Sequence, residues 1–379
     1  MIIYLIVFWL LVLAALLGQL KLTQGARWTL FVLSYLLLVA LVGLRWETGN
    51  DWPNYYNYYK HLTSLRDQPV NQVFEVGYRI FSLLVKDTGL PYAGFNVIYA
   101  AVYLGLIFLS FKHENFTVSG WLVLQLYAPF IFGLMGTTRQ VMALAICMFS
   151  VRYLLSKEWL KFLFCVGIAT SFHISALVFL ISWPVAQFRL NLRRTWIIFA
   201  VLILASVLNL GDLAVKSAEK HLAILQLADL ENRLLLEAAS SPAEFDLAAG
   251  AAAPILTAVG RVGVLVVFIL CFRYYTEESD KLYFKLYLVS ILIVVLLSGS
   301  VYVLSERSAI YFGMFQIHLL ALLTRRIKIP LLRKLFWAAL LALSITRLWT
   351  GTHSARPRIF VPYKGVFINQ DVRRDPGWF

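Results

Sequence analysis

Charge is what this sequence has least of. Of its 379 residues only 14% are Asp, Glu, Lys or Arg, while 60% are hydrophobic. An ordinary soluble domain is about a quarter charged, so a water-facing surface of normal size is excluded. Cysteine is scarce as well, at three residues. Cys147, Cys165 and Cys271 each sit inside an apolar run, which excludes a disulfide framework and leaves small buried hydrophobes. The six histidines show no metal-ligand spacing with cysteine or acid, so no metal and no other cofactor is expected. The first apolar run, 2–20, lacks a basic leader and a small-residue cleavage site. It reads as a retained membrane helix, not a signal peptide. No internal repeat is present.

Acid is the scarcer charge: 20 Asp and Glu face 34 Lys and Arg, a formal net charge of +14. In a soluble chain that excess suggests nucleic acid. Here it marks cytoplasmic loops, so membrane lipids are the expected surroundings and nucleic acid is not a partner.

What is abundant is apolar length. Runs near 2–20, 28–44, 91–111, 120–136, 139–156, 195–211, 255–274, 282–304, 307–324 and 331–349 are long enough to cross or nearly cross a bilayer. The run 159–188 is too long for one crossing and is basic at both ends. It is expected to bend near His173–Ser175 and return as a hairpin of two short helices. Lys21 and Arg27, Lys112, Lys157 and Lys161, Arg189 to Arg194, Arg273 to Lys285, and Arg325 to Lys334 then fall in inner loops, with both termini outside. The expectation is an all-α, polytopic integral membrane protein with about twelve membrane segments. Residues 1–349 form a single transmembrane domain and 350–379 a periplasmic tail.

Two outer insertions break the pattern. Residues 45–90 carry an acidic-aromatic stretch and then 73–85, an apolar segment interrupted by Glu75, Gly77 and Arg79 and read as an interfacial or re-entrant helix. Residues 213–254 hold Leu227, Leu230 and Leu234 at helical spacing, as in an amphipathic helix on the outer leaflet, followed by a small-residue linker over 248–253.

Ionisable groups near hydrocarbon are costly, and this directs attention to a few residues. Arg139 follows Gly136, Thr137 and Thr138 and opens an apolar helix, where a guanidinium and a positive dipole end together attract an anion; the alternative is a snorkelling arginine. Arg307 is expected at the outer start of another helix, with Tyr311 one turn on. It suits a phosphate or a structural carboxylate equally. His173 lies at the expected bend, flanked by Ser171 and Ser175; His318 reads as packing. Glu47 and Asp51 share a face only if 47–51 is helical, and Gly49 and Pro53 favour a loop. Either acid suits proton abstraction from a hydroxyl, or a polar turn at the headgroups. Trp46, Trp52, Tyr55, Tyr56, Tyr58 and Tyr59 fit an aromatic belt or a carbohydrate platform, the belt being preferred.

In this order, Arg45…Gly49-x-Asp51…Tyr55, Glu75-x-Gly77-Tyr78, Arg139-Gln140-x-x-Ala143, Phe172-His173-x-Ser175 and Arg307…Tyr311 resemble the EpsG family of Wzy-like polysaccharide polymerases, over roughly 1–325. Trp52 departs from the family's more frequent Tyr, and neither 213–254 nor 350–379 carries a family motif. The resemblance implies a GT-C-like, metal-independent glycosyltransferase of the bacterial inner membrane with its active site facing the periplasm. Such an enzyme joins undecaprenyl-diphosphate-linked oligosaccharide repeat units into O-antigen, lipopolysaccharide or exopolysaccharide chains. It implies a flippase and a chain-length regulator as partners. On this reading Arg139, Arg307, Arg45 and Tyr311 hold the diphosphate, and Asp51, Glu47 or His173 deprotonates the acceptor. An O-antigen ligase would use the same donor. A flippase would need charges through the midplane and symmetry between halves, neither of which is seen.

Overall fold

A computed structural model describes residues 1–49, 51–68, 73–111, 116–208, 262–296, 302–353 and 357–372. The expected amphipathic helix at Leu227–Leu234 and the linker over 248–253 lie outside these residues. Among the described residues the secondary structure is helical, with isolated β-bridges only between Arg45 and Gly365 and between Gly365 and Ile368.

The chain forms α1 (Ile2–Leu17), α2 (Gln24–Gly43), α3 (Trp52–His61), α4 (Val76–Lys86), α5 (Tyr92–Phe111), α6 (Phe116–Gly136), α7 (Thr138–Leu155) and α8 (Trp159–Phe172). A 3-10 helix (Ile174–Ile181) then leads into α9 (Ser182–Gln187) and α10 (Leu192–Val207). After a helix over 262–270, here α11, come α12 (Glu278–Leu296), α13 (Tyr302–Gly313), α14 (Gln316–Arg326), α15 (Pro330–Thr352) and α16 (Pro357–Phe360). Local chemistry sets several ends. The Thr23 hydroxyl accepts from the Ala26 amide at 3.2 Å to open α2, and the Asn191 side chain accepts from the Arg194 amide at 2.9 Å to open α10.

Two compact units result. The first comprises Met1–Leu177 and Leu320–Phe379. Here α1 packs on α6, α2 on α5 and α6, α5 on α7, α7 on α8, and α15 on α6. On α1, Tyr4, Phe8, Leu11 and Ala15 are buried, while Ile2, Ile6, Trp9 and Leu13 form an exposed apolar stripe at the same spacing. A face of that kind is stable against lipid, not water. Among the described residues three helices are long and apolar enough to cross a membrane: α2, α5 and α7, whose windows are 28%, 50% and 72% buried. This gradient makes α7 the most enclosed of the three and leaves much of α2 for lipid. The second unit, Val178–Leu319, packs α12 against α9, α10 and α13. Lys285 of α12 donates to the carbonyls of Ala186 at 2.7 Å and Phe188 at 3.2 Å, closing the C-terminal end of α9.

Most expected runs match observed helices within a few residues, and the run 159–188 breaks at His173. The loop expected for Glu47–Asp51 agrees with the structure, since 46–49 is not helical and α3 starts only at Trp52, with Pro53 in its first turn, where a missing N–H costs nothing. Two expectations are corrected. The run 307–324 is two helices, α13 and α14, interrupted after Gly313, so Arg307 lies inside a helix instead of at its start. Nothing between Tyr302 and Arg307 stops a helix, whereas Gly313 does. In addition, Trp52, Tyr55, Tyr58 and Tyr59 are buried in ring-on-ring contacts, so these four do not form a headgroup-facing belt.

Candidate active site

The first unit gathers most of the singled-out residues around the start of α7. Arg139 is the second residue of that helix. Its Nε donates to the Tyr55 hydroxyl at 3.3 Å and its Nη1 to the Val73 carbonyl at 3.1 Å. Nη1 also forms an ion pair with the Glu75 carboxylate. The guanidinium carbon lies 4.5 Å from the centre of the Phe74 ring, a cation–π contact that fixes the plane of the fork. The anion expected at this helix start is therefore present in the chain itself, as Glu75.

Glu75 links three elements. It occupies the N-cap position of α4, pairs with α7 through Arg139, and its second oxygen accepts the Ile174 amide at 3.4 Å, next to His173. The approach depends on Gly77, because a Cβ there would overlap the Ser171 hydroxyl of α8. His173 ends α8 in extended conformation, φ −157° and ψ 121°. Its Nδ1 accepts the Ser175 amide at 3.3 Å and lies 2.8 Å from the Ser175 hydroxyl. A backbone amide can only donate, so Nδ1 is the bare nitrogen and the neutral ring carries its proton on Nε2. In that tautomer the ring's lone pair faces Ser175.

Arg45 follows α2 and is buried. Its Nη1 donates to the Val42 carbonyl at 2.7 Å and its Nη2 to the Thr138 hydroxyl at 3.2 Å, beside Arg139. Its buried Nε has no acceptor among the described residues. The loop that follows is held by Gly49, which has φ +110°; a Cβ there would come within 2.5 Å of the Met135 carbonyl at the end of α6. Asp51 precedes α3, and its charge is felt at Tyr55: burial pushes the Tyr55 phenol up to about 12, Arg139 opposes the rise and Asp51 adds to it. Trp52 and Tyr56 stack with centroids 4.9 Å apart, and Trp46 meets both edge-on.

Glu47 is directed elsewhere. It adopts a left-handed backbone, φ +43°, and pairs with Lys364 of the C-terminal segment. That segment binds back on the first unit: the Trp46 amide donates to the Lys364 carbonyl at 2.9 Å, the Tyr363 hydroxyl to the Leu41 carbonyl at 2.8 Å, and the Tyr4 hydroxyl to the Phe360 carbonyl at 2.8 Å. Arg307 and Tyr311 belong to the second unit, on α13, with Tyr311 fully buried and Arg307 partly exposed.

Sequence reasoning missed Glu75, Tyr55, Thr138 and Lys364 as site residues. For Glu75 a signal existed, a lone acid interrupting an apolar stretch. For Lys364 none did, because its partner is 317 positions away.

Helices with lipid-suited faces around a partly buried charged cluster define a helical membrane protein with a polar site at one helix start. The chain belongs to the EpsG family, whose family model matches residues 28–364. No curated protein and no solved structure matches it.

Proposed function

We propose that this protein is a polysaccharide polymerase of glycosyltransferase type. It joins oligosaccharide repeat units carried on undecaprenyl diphosphate at the periplasmic face of the inner membrane. Family membership supports a polymerase-like role. The observation that carries the reading further is Arg139: a fork-shaped, permanently charged donor at the N-terminal end of the enclosed apolar helix α7, with the buried Arg45 next to it across Thr138. A helix start and two guanidinium groups form a positive region suited to a diphosphate leaving group. Asp51 and the Trp46, Trp52 and Tyr56 cluster stand beside it, where carboxylate and ring faces suit a sugar. Arg307 and Tyr311 are the second unit's candidates for phosphate binding.

The test is to replace Arg139 or Arg307 by Ala and resolve surface glycan on a gel at matched protein level. The reading expects single repeat units in place of long ladders for Arg139→Ala. Unchanged ladders would remove that arginine from the mechanism.

A further inference from the structure

The ion pair between Arg139 and Glu75 raises a question the polymerase reading leaves open. An arginine meant to hold phosphate is already occupied by a carboxylate. The pair is not sealed: the side chains keep 14% and 20% of their surface exposed, so a ligand can reach both. Arg139 is held independently of Glu75, by Tyr55, by the Val73 carbonyl and by Phe74. Glu75 is held more lightly on its other side, by one amide at 3.4 Å. It sits at the cap of α4, where its side chain makes no capping hydrogen bond to the helix it precedes. The fork is thus the fixed partner and the carboxylate the movable one.

From this geometry, and resting on the polymerase reading, we propose that Glu75 is the catalytic base and that Arg139 holds it in reserve. The incoming diphosphate displaces it. A diphosphate offers more charge and more oxygens to a guanidinium than one carboxylate does, so it takes the fork. Glu75 is then a carboxylate without its counter-ion, beside the anomeric carbon of the sugar whose phosphate displaced it. The acceptor hydroxyl gives its proton to Glu75, and its oxygen forms the new bond to the anomeric carbon. The bond from that carbon to the diphosphate breaks, with its electron pair leaving on the diphosphate, where Arg139 meets the added charge. Glu75 later releases the proton to water. Of the acids singled out by sequence, Glu47 is committed to Lys364, whereas Glu75 is the carboxylate paired with Arg139 itself. This coupling makes the base available only when the donor is bound.

The experiment compares full-length wild type with Glu75→Gln and Glu75→Asp. It measures affinity for undecaprenyl diphosphate in detergent, melting temperature and glycan ladders in cells. Removing the competing carboxylate is expected to tighten binding in Glu75→Gln by roughly tenfold, while ladders are lost. A purely structural Glu75 would lose both together. Wild-type ladders in Glu75→Gln, or weaker binding by a folded Glu75→Gln protein, would overturn the proposal. Should Glu75→Gln fail to fold, Glu75→Asp decides: binding at least as tight with shortened ladders supports it, and joint loss overturns it. A wild-type protein that ignores undecaprenyl diphosphate would overturn the polymerase reading itself. A wild-type protein that binds it, beside a Glu75→Gln variant that still polymerises, overturns the proposed base alone.

Discussion

Glu47 and Lys364 lie 317 positions apart and form an ion pair that fastens the C-terminal segment beside the Arg45–Asp51 loop. The Lys364 side chain is 8% exposed and also donates to the Val372 carbonyl at 2.9 Å. Lys364→Ala leaves a mostly buried carboxylate in a strained left-handed residue, at a cost of about 1–3 kcal/mol. A lower melting temperature and faster proteolysis within 357–372 are expected, with recovery in Lys364→Arg. A tail as protease-resistant as wild type in Lys364→Ala would contradict the fastening.

Gly77 sets the distance between α4 and α8. Gly77→Ala is expected to destabilise by about 1–3 kcal/mol and to disturb Glu75 two residues away. Adding Ser171→Ala removes only the hydroxyl overlap. The Ser171 carbonyl oxygen and carbon would still lie 2.7 and 2.9 Å from the new Cβ. The double variant should therefore stay destabilised, and full thermal recovery would show that backbone contact is not the constraint.

Asp67 reports on the loop between α3 and α4. Its carboxylate accepts the amides of Thr63 at 2.6 Å and Ser64 at 2.8 Å, and these bonds lower its pKa from 3.8 to about 2. A depressed folded value means the contribution is fully present above 3.8 and is lost as pH falls through about 2. Hydrogen exchange at the Thr63 and Ser64 amides should stay slow at pH 3 and quicken near pH 2. Asp67→Asn should exchange quickly at both. Loss of protection already at pH 4 in the wild type would count against the hydrogen-bonded carboxylate.

The basic loops predict the membrane sidedness. With Cys147, Cys165 and Cys271 replaced, a cysteine at Ser240 should react with an impermeant reagent from outside, and one at Leu192 should not. Reversed labelling would put the site on the cytoplasmic side and end the periplasmic reading.

Much of the helical framework was legible because bilayer-length apolar runs with basic flanks are a local signal. The break at His173 was legible for the same reason: thirty apolar residues do not fit one crossing. The α13–α14 interruption was not, since one glycine in an apolar run is weak evidence against helix. Helix α3 was obscured by Pro53, which breaks a helix in its interior yet suits its first turn. Within the site, Arg139 and His173 were picked out as costly groups in apolar surroundings, and Arg45 by the family resemblance. Their partners Glu75 and Thr138 were not, because a partner is defined by distance in space.

Sequence alone settled that this chain is helical and belongs in lipid, and it nominated the arginines, because hydrophobic periodicity and the cost of charge act on each segment separately. Tertiary structure decided which acid faces which base. It gave Glu75 to Arg139 and Lys364 to Glu47 and turned the bare nitrogen of His173 toward Ser175. Those pairings depend on helix packing, such as the contact of Gly77 with Ser171, which brings distant residues within hydrogen-bonding reach.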